Sequence, residues 1–211
     1  IAANASSRGL SVALCEQYDL ANATSSSSTK LIHGGLRYLE HYEFALVRKS
    51  LAEREVLLNI APHLVQPIEL ILPHEKSQRS KWLIRLGLFL YDMLGKHFGK
   101  KSTLPHSKRI SLKQASPYAT PLRDTLTTGF SYYDCKVDDA RLVILNALAA
   151  KQHSANIMPR HKLIHAKRQQ DYWTCTLENQ QSKEQYQLRS KVLVNAAGPW
   201  VAHVLQTKLH L

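Results

Sequence analysis

The sequence is short of cysteine, of acidic residues and of long apolar runs, and each shortage argues against a class of protein. Its three cysteines, Cys15, Cys135 and Cys175, are far apart and include no Cys-x-x-Cys pair. This pattern argues against a disulfide framework or a zinc module and predicts a reducing compartment. No apolar stretch in the 211 residues is long enough to span a bilayer.

The charge balance favours a negatively charged partner. Lysine and arginine total 28 residues against 16 acidic residues, which gives a formal net charge of +12. Such a charge suits nucleic acid, an anionic membrane surface or a phosphorylated substrate. Zinc-finger spacing, a basic helix with heptads and an aromatic RNA-binding motif are all missing, so we predict no nucleic-acid partner.

The chain opens with a pattern typical of the second half of a βαβ unit. Residues 1–7 suit a helix, Gly9 suits its C-cap, and residues 10–15 are predicted to form a buried strand that ends at Glu16. In dinucleotide-binding folds an acidic residue at this place binds the ribose, although Glu16 would serve equally as a solvated strand end. The glycine-rich phosphate turn of such folds is missing, and we expect it immediately before Ile1.

A second pattern of this kind lies near the other end of the sequence. Residues 191–195 are predicted to form an apolar strand, and Ala196, Ala197 and Gly198 follow it directly. Small residues at the carboxyl end of a strand let a dinucleotide approach the backbone, and Pro199 suits the first turn of a helix. Alone, this segment is more typical of a plain strand-to-helix corner. Together with Glu16 and a loop that follows Glu16 in the chain, it favours a dinucleotide site.

That loop, residues 24–38, joins a hydroxyl-rich segment to a paired glycine turn. Hydroxyl and backbone N–H groups can bind phosphate oxygens, while Gly34 and Gly35 let the backbone approach a flat ring without an intervening Cβ. Arg37 and Tyr38 follow the turn. The sequence therefore predicts an anionic cofactor at this loop, with Arg37 and Tyr38 on the reacting side.

Six segments carry a signal that is specific for one family. They are residues 23–26, 30–44, 51–58, 61–64, 137–142 and 195–200. With them the chain resembles, along nearly its whole length, the FAD-dependent respiratory glycerol-3-phosphate dehydrogenases. The resemblance implies an α/β fold: an FAD-binding Rossmann-like domain of the glutathione-reductase and amino-acid-oxidase type, with an inserted substrate-domain segment and incomplete at both ends. Residues 1–60 and 136–211 would belong to the FAD-binding domain, and residues 61–135 to the insertion.

The resemblance also implies a role for individual residues. The cofactor residues are Glu16, Thr24, Ser25, Ser26, Lys30, Leu31, His33, Gly34, Gly35, Leu36, Asn195, Ala196, Ala197, Gly198 and Trp200. Of these, Glu16 would bind the ribose of FAD, the three hydroxyl residues its pyrophosphate, and the others its isoalloxazine ring. The catalytic residues are His33, Arg37 and Tyr38, of which the last two match the pocket for the substrate phosphate and glycerol.

The implied reaction is the oxidation of sn-glycerol 3-phosphate to dihydroxyacetone phosphate, with electrons passing to a membrane quinone. Arginine suits the phosphate because its planar fork donates two parallel hydrogen bonds. His33 is either the base or, as we favour, a hydrogen-bonding group for backbone or flavin, and Tyr38 either packs or donates. The implied partners are glycerol 3-phosphate, a quinone, a membrane surface met peripherally and a second copy in a homodimer. The implied location is the cytoplasmic side of the inner membrane, or the cytoplasm.

Periodicity predicts the elements between these motifs. We expect helices at 44–60, 82–94 and 140–152, strands at 67–72, 127–133, 163–167, 172–178 and 185–195, a hairpin around 179–183, and a basic connector at 95–121. Helix 82–94, flanked by Lys81, Lys96, Lys100 and Lys101, is either buried or interfacial on anionic lipid, and burial is favoured. Asp138 or Asp139 would cap helix 140–152, which explains these residues and Asp134 better than a metal site does.

Two other functions fit part of the pattern. One is a different FAD oxidoreductase of the amino-acid or amine oxidase type, which the long match at residues 30–44 disfavours. The other is a non-catalytic basic protein built on a remnant of a flavin fold, which bound FAD in the intact protein would disfavour.

Overall fold

The computed structural model describes residues 1–75, 77, 79–95, 103–113, 117 and 122–209. Contacts divide this part of the chain into two compact units, one comprising residues 1–27 and 140–211 and the other residues 28–139. The boundaries predicted at 60/61 and 135/136 both lie inside the second unit. They divide the chain by function rather than by compactness and stay a prediction.

Helices and strands follow one another along the described residues. The helices are α1 (Ala2–Ser7), α2 (Thr24–Ser27), α3 (Phe44–Ile60), α4 (Lys81–Leu94), α5 (Asp139–Gln152) and α6 (Val201–Val204). The strands are β1 (Ala13–Glu16), β2 (Leu31–Ile32), β3 (Val65–His74), β4 (Lys108–Ser111), β5 (Thr128–Val137), β6 (Asn156–Pro159), β7 (His161–Gln169), β8 (Tyr172–Asn179) and β9 (Gln185–Ser190). Two 3-10 helices cover Leu36–His41 and Gly198–Trp200, and a π-helical turn covers Leu205–Leu209.

The first unit contains a parallel strand pair and an antiparallel meander. β1 runs parallel to β6, with Glu16 opposite Pro159. β7, β8 and β9 form the meander. The turn between β8 and β9 is held by Asn179, whose Oδ1 accepts the N–H groups of Gln181 and Ser182, as short polar side chains do in tight turns. The hairpin predicted around residues 179–183 is therefore confirmed.

The second unit is built on an antiparallel sheet centred on β5. β3 pairs with β5 along its full length, while β2 and β4 pair with the two ends of β5. β3 carries Pro67 and Pro73, which have no N–H to donate and are therefore suited to a strand at the edge of a sheet. This sheet confirms the strands predicted at 67–72 and 127–133, and it extends both of them.

The core of the second unit lies where α3 and α4 pack together. Val47 and Leu51 of α3 and Tyr91 of α4 are buried, and partly buried apolar side chains pack around them, namely Leu36, Leu39, Leu94 and Tyr132. Val47 and Leu51 are four residues apart and so share one helix face. The helix predicted at 44–60 is confirmed with these bounds.

The strand predicted at residues 191–195 is wrong. β9 ends at Ser190, and the next seven residues form no strand pairing with any residue that the structure describes. Val192 is 72% exposed, and Val194 is also exposed. An apolar run becomes a strand only when a neighbour pairs with its N–H and C=O groups, which composition alone does not supply.

Three further segments differ from their predicted form. The strand predicted at 10–15 begins only at Ala13, and part of the hydroxyl-rich loop forms the single helical turn α2. The connector predicted at 95–121 contains the strand β4. Much of this connector lies outside the described residues, as do Lys96, Lys100 and Lys101.

The burial predicted for the helix at 82–94 is wrong for one of its faces. The inner face of α4 buries Leu88 and Tyr91. The outer face is apolar but exposed: Trp82 is 85% exposed, and the same face carries Leu83, Leu86, Phe89 and Met93. Apolar residues at positions i, i+4, i+7 and i+11 predict a stripe, but the spacing does not determine what covers it.

Candidate active site

In the first unit, Glu16 is the last residue of β1, at the carboxyl end of a parallel strand. Its Oε1 accepts the N–H of Tyr18 at 2.9 Å. The other oxygen, Oε2, has no partner in the part of the chain that the structure describes. Ligands of open α/β folds bind outside the carboxyl ends of parallel strands, so Oε2 can accept a hydrogen bond from a ligand hydroxyl there.

The hydroxyl-rich segment of the first unit lies on α2. Ser26 Oγ donates to the carbonyl of Ala21 at 2.5 Å, which leaves its lone pairs available to accept. Thr24 is exposed and Ser25 is half-buried on the same turn. The three hydroxyls predicted to hold the pyrophosphate therefore share one short turn, and their contact with FAD stays a prediction.

The segment 195–200 presents bare backbone in the first unit. Asn195 holds the turn, because its Nδ2 donates to the Val201 carbonyl at 3.1 Å and its Oδ1 accepts the Ala197 N–H at 3.3 Å. Gly198 has a φ of +54°, and among the described residues other than the glycine and its two chain neighbours, no atom lies within 4 Å of the position that a Cβ would occupy. A flat ligand can therefore approach the backbone at Gly198, whereas Ala196 and Trp200 project exposed side chains.

In the second unit, β2 leads into the paired glycine turn. Leu31 and Ile32 pair with β5, and Gly35 then takes a left-handed conformation, with a φ of +72°, before the 3-10 helix. A Cβ on Gly35 would meet the ring of Tyr38 at 2.5 Å. The left-handed backbone conformation and the Tyr38 ring therefore both favour glycine at this position, independently of any cofactor.

Gly34 is also enclosed by its own unit. A Cβ there would meet the side chain of Leu51 and lie 2.7 Å from the hydroxyl of Tyr91. The sequence predicts a close cofactor approach at both glycines. The structure adds an internal packing reason for each, and contact between Gly34 or Gly35 and the flavin stays a prediction.

A buried polar cluster lies beneath this turn, and we name it the Tyr91 cluster: Tyr91, Asp134 and Arg54. The Gly34 N–H donates to the Tyr91 hydroxyl at 2.7 Å, and that hydroxyl donates to Asp134 Oδ1 at 2.8 Å. Arg54 Nη1 donates to the same Oδ1 at 2.7 Å and to the carbonyl of Tyr133 at 3.1 Å. The Arg54 and Asp134 side chains are only 4% and 3% exposed.

Burial dominates the electrostatics of this cluster. It raises the pKa of the Asp134 carboxyl, and hydrogen bonds from Tyr91 and Arg54 oppose the rise. Burial, followed by the neighbouring Asp134, raises the pKa of Tyr91. Burial is the largest single influence on the pKa of Arg54 and lowers it, but the charge and hydrogen bond of Asp134, with the charges of Tyr91 and Cys135, together outweigh burial, so the net shift is upward. Tyr91 is therefore a neutral hydroxyl that donates one hydrogen bond and accepts another.

Sequence reasoning missed Arg54 and Tyr91, and it assigned Asp134 a capping or turn role in preference to a metal site. One signal was available: Val47, Leu51 and Arg54 follow the spacing i, i+4 and i+7, which places the arginine on the buried face of α3. A buried arginine requires an acidic partner. The spacing does not show that this partner is Asp134, because the two residues are 80 positions apart.

Lys30 and Asp139 form a second, more exposed cluster at the start of β2. Lys30 Nζ lies 2.6 Å from Asp139 Oδ1, and Ser28 Oγ donates to the other carboxylate oxygen at 2.5 Å. The Asp139 carboxylate is thus held by Ser28 and Lys30. No group of three or more His, Cys, Asp or Glu side chains within the described ranges has an arrangement that could hold a metal ion.

The three residues predicted to be catalytic are accessible on the second unit. His33 and Arg37 are exposed, and Tyr38 is 48% exposed. Arg37 forms no ion pair with any residue that the structure describes. An unpaired guanidinium beside a backbone turn can bind an anionic ligand with both arms of its fork.

Comparison with known proteins gives matches along the whole chain. A family model described as "FAD dependent oxidoreductase" matches residues 1–211. The chain is 53% identical over 209 residues to a glycerol-3-phosphate dehydrogenase of Pseudomonas aeruginosa, and 49% identical over 205 residues to a D-erythritol 1-phosphate dehydrogenase of Brucella abortus. These matches cover 99% and 97% of this chain. The chain belongs to the family of FAD-dependent oxidoreductases.

The solved structures agree on the fold. The FAD complex of the glycerol-3-phosphate dehydrogenase of Bacillus halodurans matches with a TM-score of 0.64 and 24% identity, over 98% of this chain and 33% of that one. The predicted α/β FAD-binding fold class is confirmed. The chain spans 39% of the length of the Pseudomonas protein and 40% of the Brucella protein.

Proposed function

We propose that the intact protein oxidises glycerol 3-phosphate to dihydroxyacetone phosphate with FAD as its cofactor. The observation that carries this proposal is the 53% identity, over 99% of the chain, to a protein named glycerol-3-phosphate dehydrogenase. When bound, FAD supplies the acceptor for the two electrons that the alcohol loses. The chain's own residues bind, orient and contact the two ligands.

The first unit supplies groups that fit FAD. The free carboxylate oxygen of Glu16 suits a ribose hydroxyl, because it lies at the carboxyl end of a parallel strand. The open backbone at Gly198 suits a flat ring, because no Cβ stands in the way. Both features are properties of the folded unit and not of the sequence match alone.

The second unit supplies groups that fit the substrate. Arg37 offers an unpaired, exposed guanidinium for a phosphate dianion. His33 and Tyr38 are accessible in the same short stretch and can hydrogen-bond the hydroxyl groups of a glycerol moiety. We propose that this stretch binds the phosphorylated end of the substrate and orients its carbinol carbon.

A second substrate has a specific observation behind it. The Brucella relative, at 49% identity, is named for D-erythritol 1-phosphate. Both named substrates are phosphomonoesters of short polyols. The residues above recognise this shared chemistry, and only the length of the polyol separates the two candidates.

A substrate panel with the intact protein and an artificial electron acceptor tests the proposal. We expect the highest kcat/KM with glycerol 3-phosphate, and a value at least about a hundredfold lower with glycerol, which lacks the phosphate. Highest kcat/KM with D-erythritol 1-phosphate would establish the second substrate instead. Turnover of glycine or sarcosine, without turnover of either phosphate ester, would contradict the proposal and place the protein with the amino-acid oxidases.

We also propose that α4 attaches the protein peripherally to an anionic membrane surface. Its exposed stripe carries Trp82, Leu86 and Phe89, the residue types that enter the acyl boundary of a bilayer. The net charge of +12 favours anionic lipid. No helix of the described residues is long and apolar enough to cross a membrane. Attachment at this surface would give access to a quinone dissolved in the bilayer, which we propose as the electron acceptor on the cytoplasmic side.

Replacing the stripe should weaken membrane attachment. For the double variant Leu86→Ser and Phe89→Ser we expect binding to phosphatidylglycerol-containing vesicles to fall by at least about tenfold, since less apolar surface leaves water. Sedimentation of the intact protein with vesicles measures this. The matched control is Ile144→Ser with Leu148→Ser, two exposed apolar residues at i and i+4 on α5. Equal binding of the two double variants would contradict the proposed surface.

The homodimer implied by the sequence resemblance has no supporting feature among the described residues. It stays a prediction, and the molecular mass of the intact protein in solution tests it.

A further inference from the structure

The backbone of the paired glycine turn is fixed by a side chain from another element. The Gly34 N–H is buried and donates to the hydroxyl of Tyr91, 57 positions along the chain, at 2.7 Å. A buried N–H that loses its acceptor is costly, so this bond restricts where the turn can lie. Gly35, next in the chain, adds a left-handed conformation that only glycine adopts without strain.

The Tyr91 hydroxyl is itself held in one orientation. It has a single hydrogen, which it donates to Asp134 Oδ1 at 2.8 Å, so a lone pair is left directed at the Gly34 N–H. A free hydroxyl would rotate, whereas this one cannot rotate without breaking a buried hydrogen bond. Its single orientation therefore depends on Asp134.

Asp134 is fixed in turn by Arg54. The guanidinium donates to Asp134 Oδ1 at 2.7 Å and to the Tyr133 carbonyl at 3.1 Å, so it bridges α3 to β5. The Tyr91 cluster thus joins α3, α4 and β5 at a single backbone N–H. Three elements therefore converge on the turn.

The turn carries exposed residues on both sides. His33 precedes Gly34 directly, and Arg37 follows it by three positions on the short 3-10 helix. Groups that orient a substrate must be held within about 0.5 Å of their productive places, and a shift of about 1 Å can cost a hundredfold in rate. A movement of the Gly34 backbone would displace both side chains.

We propose that Tyr91, oriented by Asp134 and Arg54, is a positioning residue that fixes the Gly34 backbone and thereby places His33 and Arg37 for the substrate. The inference rests on the proposed function and extends it to residues that do not themselves touch the substrate. A purely structural role would lower the stability of the protein and leave the binding of substrate and product unchanged. A positioning role changes both kcat/KM and ligand affinity in protein that is still folded and still holds FAD.

The test compares Tyr91→Phe with Tyr132→Phe in the intact, FAD-loaded protein. Both variants lose one phenolic hydroxyl, and the two rings pack edge to face with centroids 6.2 Å apart, but only Tyr91 accepts a hydrogen bond from Gly34. The readouts are kcat and KM for glycerol 3-phosphate, and the affinity for dihydroxyacetone phosphate measured from the change that it causes in the absorbance of bound FAD. The second readout requires no turnover.

For Tyr91→Phe we expect kcat/KM and product affinity each to fall by about tenfold, with less than a twofold change for Tyr132→Phe. Equal values for Tyr91→Phe and the unmodified protein, or equal losses in both variants, would overturn the proposal. If Tyr91→Phe does not fold, Arg54→Lys replaces it, because lysine keeps the buried charge but not the fork. For Arg54→Lys, losses of kcat/KM and of product affinity that are smaller than those expected for Tyr91→Phe support the proposal. Unchanged values of both quantities overturn it. An unmodified protein that neither binds dihydroxyacetone phosphate nor oxidises glycerol 3-phosphate would instead refute the proposed function.

Discussion

Arg54→Ala should lower the free energy of unfolding by about 3–5 kcal/mol, because it leaves the Asp134 carboxylate buried without its counter-charge. The Arg54 side chain is 4% exposed and its partner 3%, so water cannot replace the lost guanidinium without opening the core. Asp134→Ala should cost less, since it removes the acceptor of the Tyr91 hydroxyl but leaves Arg54 its second acidic partner, Glu55, whose Oε1 lies 3.3 Å from Arg54 Nη2. Denaturant unfolding of the intact protein, followed by fluorescence, measures both changes.

Two comparisons distinguish this effect from general damage. The double variant Arg54→Ala with Asp134→Ala should lose less than the sum of the two single variants, by at least about 1.5 kcal/mol, because neither charge is then left unpaired. Arg79→Ala breaks the ion pair between Arg79 and Glu40, in which the two side chains are 54% and 40% exposed. This change should lower the free energy of unfolding by no more than about 1 kcal/mol. Equal losses of stability for Arg54→Ala and Arg79→Ala would show that the buried pair contributes no more to the free energy of unfolding than the exposed pair does.

Arg37→Ala in the intact protein should lower kcat/KM for glycerol 3-phosphate by about thirty- to a hundredfold without removing FAD. The change deletes a guanidinium that forms no ion pair with the described residues, so little folding energy depends on it. A bidentate charged contact to phosphate contributes about 2–3 kcal/mol to binding, which sets the size of the expected loss. Steady-state kinetics and the absorbance of bound FAD measure the two quantities.

The control for Arg37→Ala is Arg109→Ala. Arg109 is an exposed arginine on β4 of the same unit, so its loss changes the net charge by the same amount. If long-range attraction of the phosphate were the main effect, both variants would lose activity alike, and the loss would shrink at high salt. An unchanged kcat/KM for Arg37→Ala would remove this residue from the substrate site.

The elements that sequence predicted well are those with a strong local pattern. The helix Phe44–Ile60 has its predicted bounds because apolar residues recur on one face and no proline interrupts it. The hairpin between β8 and β9 was predictable from turn residues around Asn179. In each case the signal lies within a few residues of the feature that it predicts.

The errors arose where structure depends on distant partners. Residues 191–195 have strand composition but no pairing neighbour among the described residues. Helix α4 has an apolar stripe, but periodicity does not tell whether protein, lipid or water covers it. Strand β4 lies in a segment whose charge and prolines resemble a connector, and only its pairing with β5 makes it a strand.

The residues of the candidate site also divide into those with a local sequence signal and those that depend on distant partners. Arg37, Tyr38 and the two glycines were found from one contiguous stretch and from a family resemblance, and the family itself is confirmed. The Tyr91 cluster was not predicted, because Tyr91 and Arg54 lie 43 and 80 positions from Asp134 in the chain. Its bonds to Gly34 exist only in the folded unit, where they give that glycine a structural reason that the sequence argument did not supply.

The most direct measurement is an anaerobic absorbance spectrum of the intact protein before and after addition of glycerol 3-phosphate. We predict that the purified protein shows an oxidised flavin band, and that glycerol 3-phosphate bleaches it while glycerol and an amino acid do not. A coloured protein whose band does not respond to glycerol 3-phosphate would contradict the proposed substrate. A colourless protein, unable to take up FAD, would contradict the proposed flavin chemistry itself.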